Sequence, residues 1–232
     1  MEEMELMYKK LTSLVVLFFI SIACLFGQEF NVDRLIEQNI IEERANEFRE
    51  QILASPFTFN NYEEQCMYVL SFFPELENSN IVFREKKIKT TMAARPRWDF
   101  LFRSKKNRVY EVVFNPDTAA SAVHFSKLPL NAQVGILAHE FCHIVDYLDR
   151  GNLEMALFGF RYVFSDKFKA GVEHHVDKLA IDKGLGWQLH DFSAFVLHHK
   201  ETPKKYKQYK KRFYLSPEAI VQSIKEEYTD TM

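Results

Sequence analysis

Apolar residues recur along this chain with two different periods, and the switches between them divide it into segments. Between residues 29 and 55, Val32, Leu35, Ile36, Ile40, Ile41, Phe48, Ile52 and Leu53 fall mostly three and four apart. That is the spacing of one helix face, and acidic residues fill the opposite side. Ser55-Pro56 ends the segment, because the residue before a proline is pushed out of the helical region. Tyr62, Cys66, Val69, Leu70 and Phe73 repeat the pattern over residues 61–73, and Pro74 stops it. From Asn80 the period shortens to two. Ile81, Phe83 and Ile88 stand among charges in IVFREKKIK, which predicts a strand with one face in water. Arg95-Pro96 breaks the chain, and RVYEVVFN at residues 108–115 predicts a second strand that turns at Asn115-Pro116-Asp117.

Helical spacing then returns. A helix starts near Pro129 to Asn131, with Asn131 as its cap, and ends by Gly151. Another covers Lys169 to Lys183, closed by Gly184 and Gly186. Trp187 to Leu197 is apolar and reads as packing. The basic stretch KETPKKYKQYKKR reads as a solvated helix face, with an acidic partner or a membrane surface as the functional alternative. Ser216 caps a last helix with Pro217 at its first position. The pattern as a whole predicts an α+β fold, mostly helical, with a small sheet before the helix at residues 131–151.

One apolar run is of a different kind. Leu11 to Phe26 is 16 residues long, short for a membrane span, and follows Lys9 and Lys10. Small residues Ala23 and Gly27 stand where a signal peptidase cuts. Residues 1–28 are therefore expected to be a secretory signal, with the acidic MEEMEL placing the functional start at Met7. An uncleaved anchor over residues 11–26 is the alternative. The expected location is exported, periplasmic or secreted, with membrane contact only through an uncleaved N-terminal segment. Residues 29–232 then form one domain with helical extensions at both ends.

Composition narrows the picture modestly. Apolar residues make up 47% of 232 positions and charged ones 27%, which is globular, and 22 phenylalanines supply an aromatic core. A formal net charge of −2 excludes a generic nucleic-acid binder. Cys24, Cys66 and Cys142 are scattered and form no disulfide framework or zinc-ribbon spacing.

The chemistry concentrates in GILAHEFCHIVDY, Gly135 to Tyr147. His139 and His143 are four apart, hence stacked on one helix face, where two imidazoles can close on one zinc ion. Glu140 lies one step round, within reach of a water on the metal. Ile136, Leu137, Phe141, Ile144 and Val145 give the helix a buried setting, and Cys142 reads as a small buried apolar residue. A catalytic zinc needs a third protein ligand and one open position. KAGVEHHVDKLAIDK offers Glu173, with Asp177 one turn on and Ala180 continuing that face as a small residue that lets helices approach. Glu173 is the preferred ligand. Asp177 would accept the free N–H of a ligating histidine and fix its tautomer. His174 and His175 are alternative ligands. Asp146, three after His143, is a further carboxylate behind the metal or a salt-bridge partner. Candidates for stabilising an oxyanion are His174, His175, Tyr162 and Tyr214. His124 stands in no motif.

H-E-x-x-H at residues 139–143, followed by E-x-x-x-D-x-x-A at Glu173, Asp177 and Ala180, resembles the gluzincin class of zinc metallopeptidases. The likeness is greatest to the CAAX-processing type and its soluble bacterial relatives, and spans residues 80–190. HEFCHIVD is also similar to the HEFAHxxD of a cytosolic bacterial family, against which the signal segment argues. The resemblance implies a zincin-like fold with Glu173 as third ligand. The expected function is zinc-dependent hydrolysis of peptide bonds in the cell envelope, with Glu140 as general base and a peptide or protein as substrate. The alternatives are a non-catalytic zinc-binding envelope protein and a zinc hydrolase of a non-peptide amide.

Overall fold

A mixed four-stranded sheet precedes the helix that carries the histidines, and helices follow it to the end of the chain. The computed structural model describes residues 34–52, 57–59, 61–116 and 122–230. The apolar run at residues 11–26, the proposed start at Met7 and the Ser55-Pro56 break lie outside the described residues. Among the described residues no helix is long and apolar enough to cross a membrane.

The first helix among the described residues, α1, spans Gln38–Gln51 and buries Ile41, Ala45 and Phe48, the four- and three-residue spacing of its apolar face. Helix α2, Glu63–Leu70, carries Glu63 and Glu64 in its first turn, where the helix dipole favours negative charge. It is buried nearly all round, from Cys66 to Leu70.

The strands are β1 (Phe57–Thr58), β2 (Asn80–Glu85), β3 (Met92–Pro96) and β4 (Val109–Phe114), in spatial order β1-β2-β4-β3. β1 runs parallel to β2 and β2 to β4, whereas β3 is antiparallel to β4. Central β4 is buried from Tyr110 to Phe114, so its residues do not alternate between core and water. Its one charge, Glu111, lies between Arg84 at 3.2 Å and Arg95 at 3.5 Å, one from each neighbouring strand. The sequence pattern shows only a break where β3 lies. Met-Ala-Ala-Arg-Pro has no apolar alternation, and its proline is tolerated because β3 is an edge and Pro96 is its last residue.

Helix α3, Leu130–Leu148, follows Pro129 and is buried along most of its length. Asn131 does not cap it. Its side chain instead accepts from the Ile36 amide at 3.0 Å and donates to the Arg34 carbonyl at 2.9 Å and to Asp191 at 2.8 Å. Asn131 thereby ties the start of the described chain to two helices. Helix α4 spans Asn152–Phe164, and α5 spans Asp166–Ala180 with the Ser165 side chain as its cap, three residues earlier than the periodicity placed it. A π-type turn over Ile181–Leu185 follows, relieved at Gly184 with φ 76°. That positive φ is why glycine stands there. Helices α6 (Gly186–His198), α7 (Lys204–Phe213) and α8 (Pro217–Asp230) complete the described residues. At α8 the Ser216 hydroxyl accepts from Ala219 at 3.2 Å, the cap expected from Ser216-Pro217.

One interior feature sets the position of α3. Gly135 meets α6 so closely that a Cβ there would lie 2.1 Å from the Gln188 carbonyl oxygen. It is Gly135, more than Ala180, that lets helix backbones touch, although Ala180 is fully buried. The basic stretch is not a plain solvated face. Tyr206, Lys210 and Phe213 of α7 are buried, at four- and three-residue spacing beneath the exposed lysines.

Candidate metal centre

Helix periodicity on α3 stacks His139 and His143, with ring centroids 4.8 Å apart. Helix α5 brings Glu173 to them across the interior. Glu173 Oε2 lies 3.1 Å from His139 Nε2 and 3.4 Å from His143 Nε2. All three side chains are buried, and among the described residues they form the one such group with ligand atoms all within 4.8 Å of one another. Zinc bonds of about 2.0–2.1 Å at tetrahedral angles place neighbouring donor atoms roughly 3.3–3.4 Å apart. The 3.1 and 3.4 Å separations lie close to that edge. Glu173 Oε2 makes no hydrogen bond with satisfactory geometry, although it is buried. That oxygen rests on its charge pairing with the two imidazoles, and a cation between the three atoms would satisfy it fully. The donor set fits a divalent metal ion.

The atoms behind the ligands are also placed. His139 Nδ1 is 2.8 Å from Asp177 Oδ1, and Asp177 Oδ2 accepts from the Leu215 amide at 3.0 Å. Asp177 therefore fixes the His139 tautomer that leaves Nε2 free for a metal. Tyr162 donates its hydroxyl proton to Glu173 Oε1 and leaves Oε2 facing the imidazoles. Burial opposes a charge on His139, but Asp177 and Glu173 outweigh it and lift its pKa to about 9. Burial likewise works against a charged Glu173, yet the two imidazoles hold it well below the usual carboxylate range. His143 Nδ1 is buried without a hydrogen-bond partner among the described residues.

Glu140 is buried on the cleft side, and its carboxylate is hydrogen-bonded by the Ala94 backbone of β3. Burial pushes its pKa up, partly offset by the two imidazoles. The bonds from Arg97 N to Val109 O and from Asn115 N to Thr91 O set the ladder parity. By that parity Met92 and Ala94 turn their main-chain groups away from β4, toward the cleft. The cleft has a volume of about 570 Å³. Met92 to Pro96 form one side of it, Phe100, Met155, Phe158 and Val163 another, and Glu140, His143 and Glu173 its floor.

Other sequence candidates are placed elsewhere. His174 and His175 are exposed on the outer face of α5, and His175 Nε2 is 3.8 Å from Asp146. Neither reaches the three candidate donor atoms. Helical geometry accounts for this, since residues 174 and 175 point about 100° and 200° away from Glu173. Asp146 pairs with Arg150 at 2.7 and 2.9 Å, so it is a salt-bridge partner and does not support His139 or His143. His124 contacts Ser126 at 2.7 Å, outside the cleft. Cys66 and Cys142 are buried free thiols.

Three participants carry no motif in the sequence. Tyr209 hydrogen-bonds both Tyr162 and Tyr214, and like Tyr214 it lines the cleft. Lys210 is buried with its Nζ 3.2 Å from the Tyr214 ring centroid, and burial lowers its pKa to about 8 against the pull of Asp177, Glu173 and Glu140. The Ala94 amide lies in a segment without pattern. The helical spacing of Tyr206, Tyr209, Lys210 and Phe213 is the one signal for α7.

The chain matches no protein-family model, no curated protein and no solved structure.

Proposed function

We propose that the protein is a zinc-dependent peptidase of the gluzincin type, with a zincin-like arrangement of sheet and helices around its site. The observation that carries the reading is the convergence of His139 Nε2, His143 Nε2 and Glu173 Oε2 on one buried point, with Glu140 beside them at the cleft floor. Zinc at that point would act as a Lewis acid on the scissile carbonyl and lower the pKa of water. The chain supplies the rest. Glu140 takes a proton from the attacking water and delivers it to the leaving amine. Its burial raises its proton affinity above that of an exposed glutamate, which suits both halves of that task. Tyr214, held protonated by burial, can donate a hydrogen bond to the carbonyl oxygen as negative charge builds there. Of the outward main-chain groups of β3, Glu140 holds the Ala94 N–H and Thr90 the Met92 carbonyl, and the others can pair with an extended peptide. Phe100, Met155, Phe158 and Val163 form an apolar wall that favours a bulky apolar substrate side chain. Export to the cell envelope through residues 1–28 belongs to the same reading.

The test is metal analysis combined with cleavage of a peptide library, with and without chelator. Glu140→Gln should retain stoichiometric zinc and lose at least about a hundredfold of activity. Full activity in that variant, or stoichiometric zinc in Glu173→Ala, would overturn the assignment.

A further inference from the structure

Helix α4 is apolar over most of its circumference, with Glu154 and Arg161 on one strip, but packs on only one side. Of its 13 residues, Met155 and Phe158 are buried. Leu153, Leu157, Phe160 and Phe164 follow a four-, three- and four-residue spacing down the outer face, at 75%, 57%, 62% and 74% exposure. An outward apolar stripe of that length is unusual on a monomer surface and marks a surface that meets something. The stripe does not stand alone. Asn152 donates to the carbonyls of Leu101 at 3.3 Å and Arg103 at 2.9 Å, which fastens the turn Trp98–Phe102 to the start of α4. Trp98 and Phe102 on that turn are 79% and 84% exposed.

We propose that this face docks the protein on an anionic lipid surface. Charge selects the occupant. In RWDFLFRSKKN, residues 97–107, Arg97 and Arg103 share the carboxylate of Asp99 and Lys105 pairs with Asp149 at 3.6 Å, so Arg97, Arg103, Lys105 and Lys106 keep an excess of two positive charges over those two carboxylates. A second copy of the chain docked through the same face would set those cations near their own kind. The chain's own apolar run, residues 11–26, carries no charge to complement them. An anionic bilayer supplies both halves: headgroups for the basic turn, and an interfacial zone for tryptophan, phenylalanine and leucine. The inference stands apart from the peptidase reading and does not need it. If both hold, the cleft opens at the membrane, because Gly159 and Val163 on the adjoining flank of α4 line it.

Trp98 reports the contact directly. The chain has two tryptophans, so Trp187→Phe in the full chain leaves Trp98 as the sole tryptophan, excited selectively on the red side of tyrosine absorption. Vesicles of phosphatidylglycerol and phosphatidylcholine with brominated acyl chains should blue-shift and quench it, and pure phosphatidylcholine should do so at least about tenfold more weakly. Phe102→Ser with Phe160→Ser, both at exposed positions, should weaken the partition by about tenfold or more while circular dichroism stays unchanged. Binding without quenching of Trp98 would show that residues 11–26 act alone and would overturn the proposal. A blue shift without vesicles that grows with protein concentration would assign the face to a second copy and overturn it equally. Equal affinity for neutral and anionic vesicles would remove the role given to the basic turn and with it the stated occupant.

Discussion

The two walls of the cleft are built in opposite ways. Behind the ligands, α3, α5 and α6 pack without slack. Val134, Leu137, Phe141, Ile144, Val176 and Ala180 have no exposed surface, and Gly135 admits no side chain at all. Across the cleft, β3 is an edge strand and α4 holds on by two buried side chains while its outer stripe faces outward. A site that must hold three donor atoms at separations near 3.3 Å needs the first kind of wall. A surface that must accept varied partners needs the second. The contrast assigns precision to the helices and adaptability to the strand and α4, and substitutions on the two sides should differ accordingly.

The largest effect should come from Gly135→Ala. A Cβ placed 2.1 Å from a main-chain oxygen cannot be relieved by a rotamer change, so α3 must move away from α6. Because α3 carries His139 and His143, the move also separates the histidines from Glu173. A loss of about 3 kcal/mol or more in denaturant unfolding is expected, with weaker metal binding in the fraction that folds. Wild-type stability with unchanged zinc affinity would show that the rear wall has slack and would dissolve the contrast.

Asp177→Asn probes the same wall more gently. In the metal-free protein the pKa of His139 is raised from 6.5 to about 9. A raised pKa stabilises the fold fully below pH 6.5, and that stability is lost as pH rises through 9. On the proposed reading zinc would compete for the same nitrogen, so its affinity should fall by about tenfold per pH unit on going below 9. Removing the Asp177 charge lowers ligand basicity, which should cost about 10–100-fold in affinity near pH 9. It also lowers the proton affinity of His139, so the deficit should shrink toward pH 6. Chelator competition from pH 6 to 9 measures this, and a deficit independent of pH would remove Asp177 from its place behind His139.

The unequal walls also determine what is legible in the sequence. The ligand helices are legible because buried helices leave a period in the sequence, and because two histidines four apart on an apolar helix can share one metal ion. Glu173 and Asp177 pair in sequence because one turn separates them. The strand β3 is illegible because an edge strand of small residues with a terminal proline carries neither period nor β-branched residues. Tyr209 and Lys210 are hidden by the lysines around them, whose charge masks a buried face on α7. The roles of Asp146 and of His174 and His175 turn on which way each side chain points, and Arg150 claims the first while solvent claims the others.

The smallest effect, and the most direct reading of the outer wall, should come from Phe164→Ser set beside Phe141→Ala. Phe141 has no exposed surface and meets Phe73 and Phe83 edge-on, at centroid distances of 5.7 and 6.0 Å. Its loss should cost about 3–5 kcal/mol through lost contacts and a cavity. Phe164 is 74% exposed and its ring meets Phe160 at 4.7 Å. Since most of its surface is already in water, Phe164→Ser should change stability by no more than about 0.5 kcal/mol in either direction. Two phenylalanines of one chain would then differ severalfold in their contribution to the fold. A cost at Phe164 near that of Phe141 would mean that the outer stripe of α4 is covered in solution, by a second copy or by another part of the chain. Unfolding measured at two protein concentrations separates those two, because only the first makes the midpoint depend on concentration.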